Sequence, residues 1–267
     1  MEATTHPAEL AVDLRNITKS FDGSAVPALA GIDLAVPYRQ RLVLLGLSGS
    51  GKSTTLRLLN RLHDPSTGDL TVLGTDPLAM RGRQLRQFRQ RVAFVFQHFN
   101  LVGRLSAIEN VLAGGLGTLR GPRSGLLMYP NRMRLAALEQ LDRVGLADYA
   151  FQRAGTLSGG QQQRVGIARA LFQQPELLLA DEPVASLDPE SSRQVLDILQ
   201  QVSEEDGLTV ICSLHQVEVA IDWADRIVGL RGGQIVFDRD AGDVQPDDVA
   251  LIYRAEESNA HTPEAPE

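Results

Sequence analysis

The chain has 267 residues, enough for one large α/β domain or two small domains, and its hydrophobic content of 43% is ordinary for a globular protein. Aromatic residues make up only 5% and the net charge is −7, which argues against base stacking and against binding to a nucleic-acid backbone. We therefore expect no nucleic-acid partner. The single cysteine, Cys212, excludes an intrachain disulfide and, because it lies in an apolar run, is expected to be a small buried hydrophobe.

Both ends of the chain differ from its middle. Residues 1–9 and 256–267 lack hydrophobic periodicity, so we expect flexible tails on either side of one folded unit at residues 10–255. The first residues lack the basic and apolar regions of a signal peptide, and no apolar stretch approaches the roughly 18 residues that a membrane span needs. We expect a cytoplasmic protein whose membrane attachment would come through a partner.

Strand patterns alternate with helical patterns along most of the chain. Partial alternation at residues 10–14 and 28–36 predicts an antiparallel sheet. Continuous apolar runs predict buried strands at residues 41–45, 92–96, 177–180, 208–211 and 227–230. Helical patterns occupy residues 52–62, 78–89, 189–203 and 217–223. This order predicts an α/β fold in which a mostly parallel sheet is covered on both faces.

Residues 98–173 interrupt the alternation, because they contain no strand pattern. Ser106 and Glu109 form a capping box that opens a short helix, and residues 132–143 predict a second helix that stops at Gly145. A loop rich in Gly, Arg and Pro, residues 114–130, separates the two, and we assign it no role. We expect residues 98–173 to be a helical subdomain inserted into the sheet domain.

A phosphate-binding pattern follows the predicted strand at residues 41–45. Residues 46–53, GLSGSGKS, match G-x-x-x-x-G-K-[ST] at every defined position, between a strand and a helix as the motif requires. Lys52 would reach the β- and γ-phosphates, and the Ser53 hydroxyl would complete the shell of a Mg²⁺ ion. Backbone N–H groups and the helix N terminus would bind the phosphates. The expected nucleotide-binding residues here are Gly46, Ser48, Gly49, Ser50, Gly51, Lys52, Ser53 and Thr54.

Two carboxylates follow the predicted strand at residues 177–180. Asp181 is placed to hold Mg²⁺ through water, and Glu182 is the candidate base for the water that attacks the γ-phosphate. By themselves they would be an acidic turn before Pro183, but beside a phosphate loop we interpret them as functional. The two motifs predict an NTPase without choosing among kinases, GTPases, helicases and transport ATPases.

The run at residues 157–164, LSGGQQQR, distinguishes among these classes. Ser158 is a good N-cap, and the glycines after it leave helix N–H groups accessible to an anion. The run resembles the LSGGQ signature of ABC (ATP-binding cassette) ATPases residue for residue. The resemblance implies that ATP is bound by Ser158, Gly159, Gly160 and Gln161.

Other elements of the ABC pattern occur in the family's order. Phe21 corresponds to the aromatic residue that stacks on adenine, and Gln97 to the Q-loop glutamine of the catalytic and Mg²⁺ site. Asp188 lies in a run that matches the D-loop, and His215 matches the switch histidine that contacts the γ-phosphate. The resemblance covers nearly the whole chain and implies a P-loop NTPase (RecA-like) core, an N-terminal antiparallel β subdomain and the inserted helical subdomain.

The resemblance also implies an assembly. In ABC ATPases the phosphate loop of one subunit faces the signature of another, so a homodimer encloses two ATP sites. Importer-type subunits lie on the cytoplasmic face of the inner membrane as peripheral proteins, with two transmembrane permease subunits and a periplasmic or surface solute-binding protein. Residues 98–106 lie where the family contacts the permease, and we expect exposed Phe99, Leu101 and Val102 to form that contact. The alternative is that these three residues belong to the core of the helical subdomain.

Finer features favour one subfamily. The runs at residues 97–106, 185–190 and 213–217 and the long insert at 114–134 resemble phosphonate import ATP-binding proteins, which implies a phosphonate, phosphite or hypophosphite cargo. Importers of polar amino acids or phosphate, and ATPases of exporters or lipoprotein-release systems, are alternatives. A soluble ABC ATPase that acts on DNA or ribosomes is the alternative from another class. Such proteins usually carry two cassettes or long coiled coils, whereas this chain has one cassette and no heptad run.

Overall fold

The computed structural model describes residues 9–118 and 129–253. Except for Glu9, the two predicted tails lie outside the described residues, as does most of the predicted loop at residues 114–130. Within the described ranges the strands are β1 (Leu10–Lys19), β2 (Leu29–Pro37), β3 (Arg41–Leu45), β4 (Thr67–Val72), β5 (Val92–Val95), β6 (Leu177–Asp181), β7 (Thr209–Leu214), β8 (Arg226–Arg231) and β9 (Gln234–Asp240). The helices are α1 (Lys52–Leu59), α2 (Gly82–Arg91), α3 (Ala107–Ala113), α4 (Asn131–Arg143), α5 (Gly159–Leu171), α6 (Pro189–Asp206), α7 (Val217–Trp223) and α8 (Pro246–Tyr253).

The strands form two sheets. The smaller sheet has the order β2-β1-β4 and is antiparallel, whereas the larger has the order β5-β6-β7-β3-β8-β9. In the larger sheet β5 to β8 pair in parallel and only β9 is antiparallel to its neighbour. The predicted α/β fold with a mostly parallel core is thus observed.

Some boundaries differ from those that the patterns predict. The helix expected from residue 78 begins at Gly82, because Pro77–Ala79 form a short 3-10 turn capped by Asp76. The sequence analysis did not predict β4, β9 or α8. β4 and β9 are edge strands, and all three elements bury few side chains, so their hydrophobic patterns are weak.

The parallel strands separate two apolar clusters, because successive side chains point to opposite faces. Leu42 and Leu44 of β3 pack with α1 and the three-stranded sheet. Val43 and Leu45 pack with the cluster that contains residues of α3 to α6. Cys212 is fully buried in the second cluster, as predicted, and burial raises the pKa of its thiol.

The helices α3, α4 and α5 pack against one another. Ser106 caps α3 in the predicted capping box with Glu109, and the described part of residues 98–173 contains no strand. Their treatment as a separate subdomain remains a prediction. Across the described ranges, every helix is too short or too polar to span a bilayer.

Candidate functional site

The parallel strand order brings the predicted motifs to one edge of the core sheet. β3 leads into the phosphate loop at residues 46–53, and β6 ends at Asp181. Gln97 and His215 follow shortly after β5 and β7, the strands on either side of β6. Because these strands are parallel, all four carboxyl ends lie at the same edge, which is where ligands bind in open α/β sheets.

The phosphate loop follows a path that requires glycine. Gly49 and Gly51 have φ values of 80° and 109°, in the left-handed region that other residues avoid. A Cβ on Gly46 would lie 2.4 Å from the carbonyl oxygen of Leu230, so that position has no space for a side chain. The tight path ends at α1, for which Gly51 is the N-cap.

Lys52 is held inside this loop and is only 4% exposed. Its Nζ donates to the carbonyl oxygens of Gly46 at 2.8 Å and Leu47 at 3.0 Å, and lies 3.7 Å from Glu182 Oε1. Burial lowers the pKa of Lys52, although the charges of Glu182 and Asp181 oppose that shift. The ammonium group is therefore surrounded by oxygen acceptors that phosphate oxygens could replace.

Asp181 meets the phosphate loop directly. Its side chain is 3% exposed, and the Ser53 hydroxyl donates to Oδ1 at 2.6 Å. Arg57, one turn further along α1, places Nη2 3.4 Å from Oδ2. Hydroxyl and carboxylate oxygens are ligands that Mg²⁺ prefers, so Ser53 and Asp181 fit that ion. In the described ranges no group of three or more His, Cys, Asp or Glu residues is arranged to hold a metal ion, so the other ligands would come from phosphates and water.

Glu182 leaves β6 in an unusual conformation. Its φ is 45°, in the left-handed region, and its N–H donates to Ser213 Oγ at 2.8 Å. Ser213 Oγ in turn donates to Asp181 Oδ1 at 3.1 Å. Sequence reasoning missed both Ser213 and Arg57. The signals for Ser213 were a hydroxyl inside the apolar run of β7 and its place in the run at residues 213–217, and neither points to a contact with the acidic pair.

The signature run forms the start of α5. Ser158 and Gln161 make a capping box, in which Ser158 Oγ accepts from the Gln161 N–H and the Ser158 N–H donates to Gln161 Oε1. A Cβ on Gly160 would lie 2.6 Å from Ser191 Oγ, so α5 begins in close contact with α6. Asp188 caps α6, and its hydrogen bonds with Ser191 lower the pKa of its carboxyl. The signature and the D-loop therefore form one packed unit.

Phe21 contacts side chains outside the phosphate loop. Its ring is 39% exposed and meets the ring of His63 edge-on, with centroids 5.2 Å apart. Lys19 Nζ lies 4.8 Å from the Phe21 centroid. His63 follows α1, so the contact joins the end of β1 to the helix that opens at Lys52. Stacking of adenine on Phe21 remains a prediction.

The structure joins some predicted residues and leaves others apart. Lys52, Ser53, Asp181 and Glu182 form one bonded group. Within the described residues, no hydrogen bond or ion pair links that group to the other side chains of interest, namely Phe21, Gln97, Ser158, Gln161, Asp188 and His215. Gln97 is half-buried and His215 is exposed. Of the three expected exposed residues near Gln97, only Val102 is exposed, because Leu101 packs against the core and Phe99 is half-buried.

A glycine loop that joins a buried strand to a helix, with Asp181 bonded to its serine, defines a P-loop NTPase. The profile of the ABC transporter family matches residues 29–185. The chain belongs to the ABC transporter family.

Similar proteins agree with this assignment. The chain is 58% identical to a phosphonates import ATP-binding protein of Frankia casuarinae over 92% of this chain and 96% of the relative. It is 58% identical to a phosphate-import ATP-binding protein of Mycolicibacterium smegmatis over 92% of this chain and 93% of the relative. A dimeric ATP-binding cassette solved in a post-hydrolysis state with ADP and Pi has a TM-score of 0.76 and 34% identity, over 86% of this chain and 98% of that chain. The predicted fold class, and the resemblance to phosphonate import ATP-binding proteins, are confirmed.

Proposed function

We propose that this chain is the ATP-hydrolysing subunit of an ABC importer that energises uptake of phosphonate, or of the related phosphite or hypophosphite. The observation that carries the proposal is the bonded group of Lys52, Ser53, Asp181 and Glu182 on a chain that also has the LSGGQ run. The names of the similar import proteins support the cargo.

ATP binds where the Lys52 ammonium now meets carbonyl oxygens. The β- and γ-phosphates replace those acceptors and the Glu182 carboxylate, since a polyphosphate offers stronger charged acceptors. Mg²⁺, when bound, neutralises charge on the phosphates. Ser53 and Asp181 would hold the ion, and Gln97, just after β5, would be a further ligand.

Glu182 is the proposed base for hydrolysis. When the phosphates replace Glu182 as the partner of Lys52, the Glu182 carboxylate is free to accept a proton from the attacking water. His215 extends from the neighbouring strand end toward the γ-phosphate, and Phe21 stacks on adenine.

The complete site forms between two copies of the chain. The start of α5 in one subunit, which comprises the exposed Ser158 and Gly159 and the less exposed Gly160 and Gln161, closes over the phosphates bound by the partner. Asp188 lies beside that contact. A dimeric cassette among the similar structures supports this arrangement. Two permease subunits and a solute-binding protein complete the importer, with this subunit on the cytoplasmic face of the inner membrane. Residues 98–106 form the proposed permease contact.

Phosphate import is a second candidate. It is favoured by the Mycolicibacterium smegmatis relative, which is named a phosphate importer and is as similar as the Frankia casuarinae protein. In either case the solute is recognised by other subunits, so the proposed chemistry of this chain is the same.

The proposed base is tested by Glu182→Gln. The amide keeps the size of the side chain but cannot accept the proton, so ATP turnover falls by at least about 100-fold, the range for loss of a general base. ATP binding is retained, and the variant elutes as a dimer in gel filtration with ATP. Glu139→Gln, on the exposed face of α4, is the matched control and keeps normal turnover. Undiminished hydrolysis in Glu182→Gln would exclude Glu182 as the base.

A further inference from the structure

Ser213 is a fully buried hydroxyl at the C-terminal end of β7 and belongs to none of the motifs assigned to nucleotide binding. A buried hydroxyl has lost its hydrogen bonds to water and requires protein partners. The partners of Ser213 are the two residues of the acidic pair. In the parallel pairing of β6 and β7, Ser213 lies opposite Asp181.

The direction of both hydrogen bonds follows from the groups involved. The Glu182 N–H can only donate, so Ser213 Oγ is the acceptor in the 2.8 Å contact. The hydroxyl proton is then free for Asp181 Oδ1, a carboxyl oxygen 3.1 Å away. One side chain therefore holds the backbone of the proposed base and the carboxylate of the proposed Mg²⁺ site.

Both contacts restrain a feature that hydrolysis needs. Glu182 has a φ of 45°, a conformation that a non-glycine residue keeps only when its surroundings determine it. The Ser213 bond to its N–H helps to hold that conformation and so sets the direction in which the Glu182 side chain leaves the strand. Asp181 Oδ1 also accepts from Ser53, so two hydroxyls fix the rotation of the carboxylate.

We propose that Ser213 is a positioning residue for ATP hydrolysis, which aligns Glu182 and Asp181 without touching the nucleotide. The inference rests on the proposed function. Because the alignment matters most in the transition state, loss of the hydroxyl affects kcat far more than KM.

The test compares Ser213→Ala with a matched control. Ser203 is another buried serine, 6% exposed. Its hydroxyl donates to the Leu208 carbonyl oxygen at a distance of 2.8 Å, and neither residue belongs to the site. In the full-length chain, Ser213→Ala lowers kcat for ATP by about 10- to 100-fold and leaves KM within about twofold, since small misplacements of reacting groups cost up to 100-fold. Ser203→Ala keeps the wild-type kcat. Ser213→Cys, close in size but a weak hydrogen-bonding group, also loses kcat.

Amide hydrogen exchange supplies a readout that does not depend on activity. The Glu182 amide exchanges faster in Ser213→Ala than in wild type, because its acceptor is gone, and its rate is unchanged in Ser203→Ala. Wild-type kcat in Ser213→Ala, an equal loss in Ser203→Ala, or unchanged exchange at Glu182 would each overturn the inference. If the wild-type chain itself hydrolyses no ATP in its transporter, the proposed function fails instead, and the exchange experiment still decides the role of the hydroxyl in holding Glu182.

Discussion

At the residue scale, Lys52 shows how the phosphate loop is prepared for a polyphosphate. Its ammonium is buried among carbonyl oxygens of the loop and one carboxylate. Burial lowers the pKa of Lys52, whereas the nearby acidic side chains favour its charged form. The charged form is the one that binds phosphate. Binding of ATP should therefore depend on this residue and on pH.

We predict that Lys52→Ala weakens ATP binding by about 10- to 100-fold, because a hydrogen bond to a charged group contributes about 1.5–3 kcal/mol. In wild type, affinity declines as alkaline pH removes the Lys52 proton, and the decline starts at lower pH than for a solvated lysine because the pKa is lowered. Titrations with a fluorescent ATP analogue over a pH series measure both effects. A variant with wild-type affinity, or one with the same alkaline decline as wild type, would contradict this role.

The sequence predicted some residues of the site and could not predict others. Gly46 to Ser53 and the acidic pair have local patterns that predict phosphate binding. In the structure Ser53 donates a hydrogen bond to Asp181. Ser213 and Arg57 have no such pattern. Ser213 lies 32 residues and Arg57 lies 124 residues from Asp181 in the chain, and both contact its carboxyl group only in the folded structure. Local periodicity does not encode contacts between such distant residues.

At the scale of elements, α5 carries the signature at its start and contacts both α6 and the turn that follows Gln97. Its first turn carries the signature and contacts α6 through Gly160. Near its other end, Arg169 donates to the carbonyl oxygens of Phe99 at 2.9 Å and Asn100 at 2.6 Å. Phe99 and Asn100 both have positive φ, so Arg169 stabilises a strained turn just after Gln97. Movement of α5 would thus be transmitted to the turn that follows Gln97.

We predict that Ser158→Arg blocks hydrolysis by at least 100-fold while the monomer keeps its affinity for ATP. A large cation at the start of α5 prevents closure over the partner's phosphates, whereas the chain's own phosphate loop is not bonded to this residue. Loss of the N-cap lowers the free energy of unfolding by only about 1 kcal/mol. ATPase assays and ATP binding at dilutions that favour the monomer measure the two effects.

Gln201→Arg, which adds the same charge on the exposed face of α6, is the control and keeps normal activity. If Ser158→Arg abolished ATP binding to the monomer, the signature would act within its own chain, and the dimeric site would be refuted.

Element prediction succeeded where burial is strong. β3, β6 and β7 are buried along nearly their whole length, and their apolar runs predicted strands. β4, β9 and α8 bury only one or two side chains each, so tertiary contacts rather than pattern decide their structure.

At the scale of the whole molecule, each chain carries two separated parts of one reaction site. The phosphate loop and acidic pair form one part, and the exposed start of α5 forms the other. In the proposed dimer a second copy brings the two parts together, and ATP would then be a component of the dimer interface. The net charge of −7 is unfavourable for binding to a nucleic-acid backbone.

In the proposed importer the solute is recognised by other subunits. The choice between phosphonate and phosphate would then depend on the solute-binding protein rather than on this chain. The names of similar proteins include both, which makes the cargo a question for the assembled transporter.

The most direct test is the ATPase rate of the chain reconstituted with its permease and a solute-loaded binding protein, with alkylphosphonate, phosphite and phosphate compared in parallel. We predict that the loaded binding protein stimulates hydrolysis several-fold, with alkylphosphonate or phosphite most effective, and that Glu182→Gln shows no stimulated hydrolysis. Stimulation by phosphate alone would replace the phosphonate cargo with the second candidate. Stimulation by none of the three, in a transporter whose ATPase is active, would contradict the proposed importer.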